Sequence, residues 1–155
     1  MKHLRVVQIG YGTVGGAVLE QIADHRAMWR DRLRIDVSVV ALGGRDGAIQ
    51  VDTERGIADD DLRRHAASRR ENGDRPERVM AWDAVIHQVA SEGHTVVMDA
   101  AAGDETATYD ALALEQGAGV VLSNKAPLAL PLRDPRGQVL WSHASSHGNL
   151  RYEAT

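Results

Sequence analysis

The chain has 155 residues, of which 43% are hydrophobic and 26% are charged, and it contains no cysteine. These values are typical of one water-soluble globular domain, and the lack of cysteine excludes disulfides, thiolate metal ligands and a cysteine nucleophile. The formal net charge of -4 argues against a nucleic-acid-binding surface, and no apolar run reaches the roughly 20 residues of a membrane span. We therefore expect a cytoplasmic domain that binds neither nucleic acid nor membrane.

A short strand, a glycine turn and a helix open the chain. The β-branched run Val6–Ile9 predicts the strand, and glycines follow at the G-x-G-x-x-G spacing. Apolar residues then recur at helical spacing, at Val14, Val18 and Ile22. Strand, glycine turn and helix in this order are typical of a dinucleotide-binding βαβ unit.

Each glycine of this turn has its own expected function. Gly10 permits the sharp turn off the strand, Gly12 lets the backbone approach a pyrophosphate closely, and Gly15 lets the helix pack tightly on the strand. The first helical residues, Thr13 and Val14, are expected to present backbone N–H groups to the phosphates with Gly15, at the positive end of the helix dipole.

The second strand is predicted over residues 34–42, and it ends in the glycine-punctuated turn Gly43–Gly47. The end of this strand is where such domains choose between NAD and NADP. Asp36 lies at the wrong end of the strand for that role. The guanidinium of Arg45 suits the 2′-phosphate of NADP. The carboxylate of Asp46 suits the adenosine ribose hydroxyls of NAD, so the sequence leaves binding of NAD open. We favour NADP over NAD.

The middle of the chain is less informative. Residues 59–70 predict a charged helix that begins at three aspartates, and Arg78–Met80 predict a short third strand. Apolar spacing predicts a further helix over residues 83–90.

The second half of the chain alternates strands and helices. Strands are predicted over residues 95–99, 119–123 and 149–153, and helices from about residue 105 to Gly117 and near residues 139–143. Ala100 and Ala101 follow the fourth strand, whereas Asn124 and Lys125 follow the fifth.

Six strands with intervening helices predict an α/β fold of Rossmann type, a doubly wound and mostly parallel sheet with helices on both faces. In the usual order of such a sheet the first and fourth strands are neighbours. The Gly10–Gly15 turn and the Asp99–Gly103 loop should then face each other across one crevice, with Lys125 at the same edge.

The chain resembles the N-terminal NAD(P)-binding domain of homoserine dehydrogenase. The matching segments are Gly10–Gly15, Val97–Ala100, Gly119–Ala129 and Arg151–Thr155. The glycine turn is shared with many dehydrogenases, whereas Ser-Asn-Lys-Ala-Pro after a strand and Tyr-Glu-Ala-Thr are far more specific. One departure is Ala101, near which similar proteins often carry a serine or threonine hydroxyl.

The resemblance implies interconversion of L-homoserine and L-aspartate 4-semialdehyde with NADP or NAD, a step towards threonine and methionine. It implies that Lys125 positions the substrate and assists proton transfer, and that Glu153 binds the amino or hydroxyl group of the substrate. Cofactor contacts are expected from Asn124 and Lys125 as well as from the loop Ala100–Ala101. In the family a substrate and homodimerisation domain follows the Glu-Ala-Thr motif, so we expect this chain to be a cofactor domain of low activity by itself.

Two other readings stay open. The chain could be the cofactor domain of another small-substrate dehydrogenase, such as an aspartate dehydrogenase, or a nucleotide-sensing module without enzymatic activity. His143 and His147 have a spacing compatible with a metal pair, but no third ligand is evident and we predict no metal site.

Overall fold

The computed structural model describes residues 1–71, 78–145 and 148–152, which form a six-stranded sheet with helices on both faces. The strands are β1 (Lys2–Ile9), β2 (Ile35–Gly44), β3 (Gly47–Val51), β4 (Thr95–Asp99), β5 (Gly119–Leu122) and β6 (Leu150–Tyr152). Their order across the sheet is β3-β2-β1-β4-β5-β6. All neighbouring pairs are parallel except β2 and β3, which are antiparallel. The predicted Rossmann-type fold and the neighbouring positions of the first and fourth strands are confirmed.

The helices connect the parallel strands. They are α1 (Thr13–Met28), which continues as a π-helical turn over Trp29–Leu33, α2 (Asp59–Glu71), α3 (Trp82–Ala90), α4 (Ala107–Glu115) and α5 (Pro135–Ser145). A 3₁₀ turn over Ala126–Ala129 follows β5. Each helix coincides with a predicted one, although α5 is longer than expected. Within the described residues, no helix has the length and apolar character that crossing a bilayer requires.

Two hydrophobic cores form because β1 buries both of its faces. Val7 and Ile9 point to one face and pack with side chains from α3, α4 and α5. Val6 points to the other face and packs with Leu19 of α1 and Leu62 of α2. Alternate residues of a strand point to opposite faces, so an apolar run of this kind suits a central strand covered on both sides. Burying one leucine such as Leu19 stabilises the fold by about 1.5–3 kcal/mol.

The prediction for the third strand is wrong. Residues 78–80 do not form a strand of the sheet; Met80 makes only an isolated bridge to Ala48. The third strand is Gly47–Val51, which folds back on β2 after a turn at Arg45 and Asp46. The bend of this β-hairpin is therefore Arg45 and Asp46, whereas Gly43, Gly44 and Gly47 belong to its two strands.

Candidate functional site

The carboxyl ends of β2, β1, β4 and β5 lie side by side, because backbone hydrogen bonds continue into the loops that follow them. The amide of Gly10 donates to the carbonyl of Gly43 (2.7 Å). In the same way the amide of Ala100 donates to the carbonyl of Ile9 (2.8 Å), and the amide of Ser123 donates to the carbonyl of Asp99 (2.9 Å). The first residue of each loop is thus held in register with the neighbouring strand. In open α/β sheets this edge is where ligands bind.

The three glycines of the turn after β1 differ in what a side chain at each position would meet. Gly10 has a φ of +87°, and a Cβ there would lie 2.6 Å from the amide nitrogen of Ala101. A Cβ at Gly15 would overlap the carbonyl oxygen of Gly10. A Cβ at Gly12 would meet nothing within 4 Å. The protein itself therefore excludes a side chain at Gly10 and Gly15, whereas at Gly12 the space is open.

The first turn of α1 borders this open space. Gly12 is the N-cap residue, no side chain caps the helix, and its first turn contains no acidic residue. Thr13 and Val14 are exposed there, whereas Gly15 is buried against the strand. The positive end of the helix dipole therefore has no compensating protein charge in this turn, which favours an anionic ligand.

Gln8 of β1 holds the glycine turn through a hydrogen bond, and the sequence analysis did not predict this role. Its side chain is fully buried, and its amide nitrogen donates a 2.8 Å hydrogen bond to the carbonyl oxygen of Gly10. A buried polar side chain needs such a partner. The available signal was a glutamine within the apolar run Val6–Ile9 at the end of the strand.

A cavity of about 250 Å³ opens at this edge. Its lining consists of Gly10, Tyr11, Gly12, Gly44, Arg45, Ala100, Ala101 and Ala102. Five predicted site residues are therefore brought together, whereas Tyr11, Gly44 and Ala102 were not predicted. A roomier cavity of about 460 Å³ lies at the opposite edge, between the amino ends of β1 and β4. We place the candidate site at the carboxyl edge, where the glycine turn and the start of α1 converge.

Asp99, at the end of β4, holds the loop that forms one wall of the cavity. One carboxylate oxygen accepts a 2.9 Å hydrogen bond from the amide of Ala101, and the other accepts a 2.7 Å bond from the hydroxyl of Thr106. Asp110 of α4 is also fully buried nearby. Burial, and then the negative charge of Asp99, raise the pKa of the Asp110 carboxyl well above its usual range.

Asn124 joins the loop after β5 to the loop after β4. Its side-chain nitrogen donates to the carbonyl oxygen of Gly103 at 2.6 Å, and its side-chain oxygen accepts from the amide of Ala126 at 3.1 Å. Lys125, the next residue, is exposed and is the N-cap of the 3₁₀ turn. The predicted pair Asn124 and Lys125 therefore lies at the same edge as the cavity, although neither is among its lining residues.

Arg45 lies in the bend of the β2–β3 hairpin and pairs with Glu105 of the loop before α4. The guanidinium nitrogen Nη1 is 3.8 Å from Oε1 of Glu105, and the two side chains are 48% and 67% exposed. The cation predicted to recognise a phosphate is thus at the mouth of the cavity, with a carboxylate beside it.

Two residues named in the sequence analysis cannot be placed. Glu153 and His147 lie outside the residues that the structure describes. Among the described residues, no group of three His, Cys, Asp or Glu side chains is arranged to hold a metal ion.

A sequence model of one protein family matches most of the chain. The family is described as "Homoserine dehydrogenase, NAD binding domain", and the match covers residues 10–152. No curated protein matches the chain by sequence.

Solved structures share the fold. Homoserine dehydrogenase from Thermoplasma acidophilum superposes with a TM-score of 0.64 at 20% identity, over 99% of this chain and 44% of that one. A hyperthermophilic archaeal homoserine dehydrogenase in complex with NADPH gives 0.66 at 22% identity, over 97% and 44%. The Staphylococcus aureus enzyme gives 0.61 at 20% identity, over 99% and 34%. The chain therefore spans less than half the length of these relatives.

Proposed function

The chain belongs to the family of homoserine dehydrogenase NAD-binding domains, and on that premise we propose that it is the cofactor-binding part of a homoserine dehydrogenase. The proposed enzyme interconverts L-homoserine and L-aspartate 4-semialdehyde by hydride transfer, in the cytoplasmic synthesis of threonine and methionine. Because the structural relatives are more than twice as long, the proposal places the substrate-binding and homodimerisation domain outside residues 1–155.

The open space at Gly12 carries the proposal. At Gly12 a Cβ would meet no atom within 4 Å beyond the residue itself and its two chain neighbours, and Gly12 is the N-cap of a helix whose first turn has neither a side-chain cap nor an acidic residue. A side chain there would enter the space in front of the first turn of α1. A pyrophosphate that occupies this space accounts for the glycine, and the amides of Thr13, Val14 and Gly15 supply its hydrogen-bond donors.

Arg45 is the residue that we propose for cofactor choice. Its guanidinium is well suited to a phosphate because it offers a planar set of donors and a permanent charge. Its position next to Gly44, at the end of β2, is where the adenosine ribose lies in this class of fold. We therefore propose binding of NADP or NAD with a preference for NADP, which agrees with the NADPH complex of the archaeal relative.

The nicotinamide supplies or accepts the hydride, and the residues of the chain bind, orient and handle the proton. We propose that the ammonium of Lys125 stabilises the negative charge that develops on the aldehyde oxygen and assists its protonation. Asn124 positions Lys125, because its side chain ties this loop to Gly103. We keep Glu153 as the proposed ligand of the substrate's amino or hydroxyl group.

Gly12→Val tests this proposal. We expect an affinity loss for NADP⁺ and NAD⁺ of about tenfold to a hundredfold, since one or two charge-assisted hydrogen bonds to phosphate are prevented. The fold should be retained, because the new Cβ meets no atom within 4 Å beyond the residue itself and its two chain neighbours. Calorimetric titration measures the affinity and circular dichroism the fold.

Gly16→Ala is the matched control. A Cβ at Gly16 makes contacts of 3.4 Å with the Tyr11 carbonyl oxygen and 3.5 Å with Ala66, on the α2 side of the helix. Its nucleotide affinity should equal that of the unaltered chain. Unchanged affinity in Gly12→Val would mean that the glycine turn is only structural and would refute the proposed site.

A further inference from the structure

We propose that Glu105 is an internal competitor for Arg45 and thereby lowers the preference of this site for the 2′-phosphorylated nucleotide. The inference rests on the proposed function, since it concerns the same arginine and the same cavity. It assigns a specificity role to a residue of the β4–α4 loop, on the opposite side of the crevice from the β2–β3 hairpin.

The two side chains approach each other beside a glycine. Gly103 has a φ of +88°, and a Cβ there would overlap Oε2 of Glu105 and lie 3.7 Å from Nη1 of Arg45. A side chain at this position would displace the Glu105 carboxylate from where it now lies, whereas its distance from the guanidinium would be an ordinary contact. The carbonyl of Gly103 is in turn bonded by Asn124, so this part of the loop is held in place.

The pair is weak enough to be displaced. Its atoms are 3.8 Å apart and both side chains are about half exposed or more. An ion pair of this kind contributes little in water, because solvent screens it and both side chains lose rotamer freedom. A phosphate that accepts two hydrogen bonds from one guanidinium binds more strongly than this single contact.

Displacement nevertheless has an electrostatic consequence. A 2′-phosphate on Arg45 has to replace the Glu105 carboxylate and then lies close to its negative charge. A nucleotide with a free 2′-hydroxyl carries no such charge and is not repelled. Glu105 therefore weakens NADP binding selectively and brings the affinities for the two nucleotides closer together.

Glu105→Gln is the test, because glutamine keeps the size of the side chain and removes its charge. We expect the affinity for NADP⁺ to rise by about twofold to fivefold, the range that corresponds to an exposed ion pair. The affinity for NAD⁺ should change by less than this, and the gain for NADP⁺ should shrink at high salt. In an Arg45→Ala background the same substitution should give a smaller gain. Calorimetry of the 155-residue chain with each nucleotide, at low and high salt and in both backgrounds, measures these affinities.

Asp104→Asn is the matched control. Asp104 is exposed in the same loop, and after Asp134 it contributes to the raised pKa of Arg136 in α5. It should leave the ratio of the two affinities unchanged. Equal gains for NADP⁺ and NAD⁺ in Glu105→Gln, or an equal gain in Asp104→Asn, would overturn the inference while leaving nucleotide binding itself intact. An unaltered chain that binds neither nucleotide would overturn the proposed function and this inference with it.

Discussion

At Gly15 a side chain is excluded by the carbonyl of Gly10, whereas at Gly12 no protein atom excludes one. The first constraint concerns how closely α1 can approach the end of β1, and it belongs to the fold. The second concerns a space that a ligand can fill, and it belongs to the proposed site. The motif predicted both functions, because the spacing of the glycines after a strand determines which one faces the helix and which one faces the crevice.

Asp110 gives a prediction for pH. Its carboxyl has a raised pKa in the folded chain, so folding favours its protonated form. The stability that this group contributes is fully present below its unfolded pKa, near 4, and is lost as the pH rises through the folded value. Asparagine cannot lose a proton, so Asp110→Asn should become progressively more stable than the unaltered chain as the pH rises above about 4. Urea unfolding at several pH values between about 4 and 8 measures this difference.

The control removes a carboxylate charge from an exposed position instead of a buried one. Asp104→Asn should give a stability difference that varies far less with pH, because Asp104 is exposed. A difference between Asp110→Asn and the unaltered chain that stays constant over this pH range would contradict the pKa assignment. The other carboxylates contribute equally to the pH dependence of the unaltered chain and of the variant, so their contribution cancels in the difference in unfolding free energy.

Among the secondary-structure elements, the β2–β3 hairpin depends on the first residue of α3. Trp82 is 1% exposed, and its indole N–H donates a 2.7 Å hydrogen bond to the carbonyl of Gly44, next to the bend that carries Arg45. Trp82→Phe keeps most of the buried ring but removes the donor. We expect a loss of about 1–3 kcal/mol in the free energy of unfolding, measured by urea denaturation.

Trp141→Phe makes the same substitution in α5. Trp141 is 41% exposed, and its indole N–H donates a longer bond of 3.3 Å to Leu128. Its effect on stability should be clearly smaller. Comparable losses in the two variants would show that the bond to Gly44 contributes little to holding the hairpin.

The hairpin is also where sequence reasoning failed. The sequence predicts the end of a strand and a turn at Gly43–Gly47, because glycines normally interrupt regular structure, but it predicts no strand directly after that turn. The segment that follows, Gly47–Val51, is a short edge strand, and a run of this length has too few alternations to identify it. By contrast, β1, β4 and β5 were predictable, since apolar runs followed by glycine or small residues are typical of buried parallel strands.

At the scale of the whole molecule, the crevice could be predicted but its side-chain contacts could not. The order of strands in a doubly wound sheet brings Gly10 and Ala100 together whatever the loops contain. The pairing of Arg45 with Glu105 and the proximity of Asp99 to Asp110 depend on where two loops and a helix meet. Such contacts between distant segments leave no local pattern in the sequence.

The proposed function predicts that the chain as a whole responds to nucleotide. NADP⁺ or NAD⁺ at about a hundredfold excess over its Kd should stabilise the folded chain by about 2.7 kcal/mol and raise the Tm by roughly 5–10 °C. Homoserine-dependent reduction of either nucleotide by these 155 residues alone should be slow, because the proposed substrate domain is not among them. Differential scanning calorimetry and absorbance at the nicotinamide band measure the two quantities.

The Gly12→Val variant provides the control for this measurement. At the same concentrations the nucleotide is only about one to ten times the weakened Kd, so its stabilisation of the variant should fall to about 0.4–1.4 kcal/mol and the rise in Tm should shrink in proportion. A Tm of the unaltered chain that is insensitive to both nucleotides would contradict the proposal, as would rapid turnover of homoserine by the chain alone.

The hydrogen bonds that tie Gly10, Ala100 and Ser123 to neighbouring strands have a kinetic consequence. The floor of the crevice is built from backbone that the sheet has already ordered, so capture of a dinucleotide requires little further loss of chain entropy. Association should therefore follow a single fast phase whose rate rises linearly with nucleotide concentration, without a plateau from a slow isomerisation. The groups that rearrange on binding are then side chains at the rim of the crevice, chiefly Arg45.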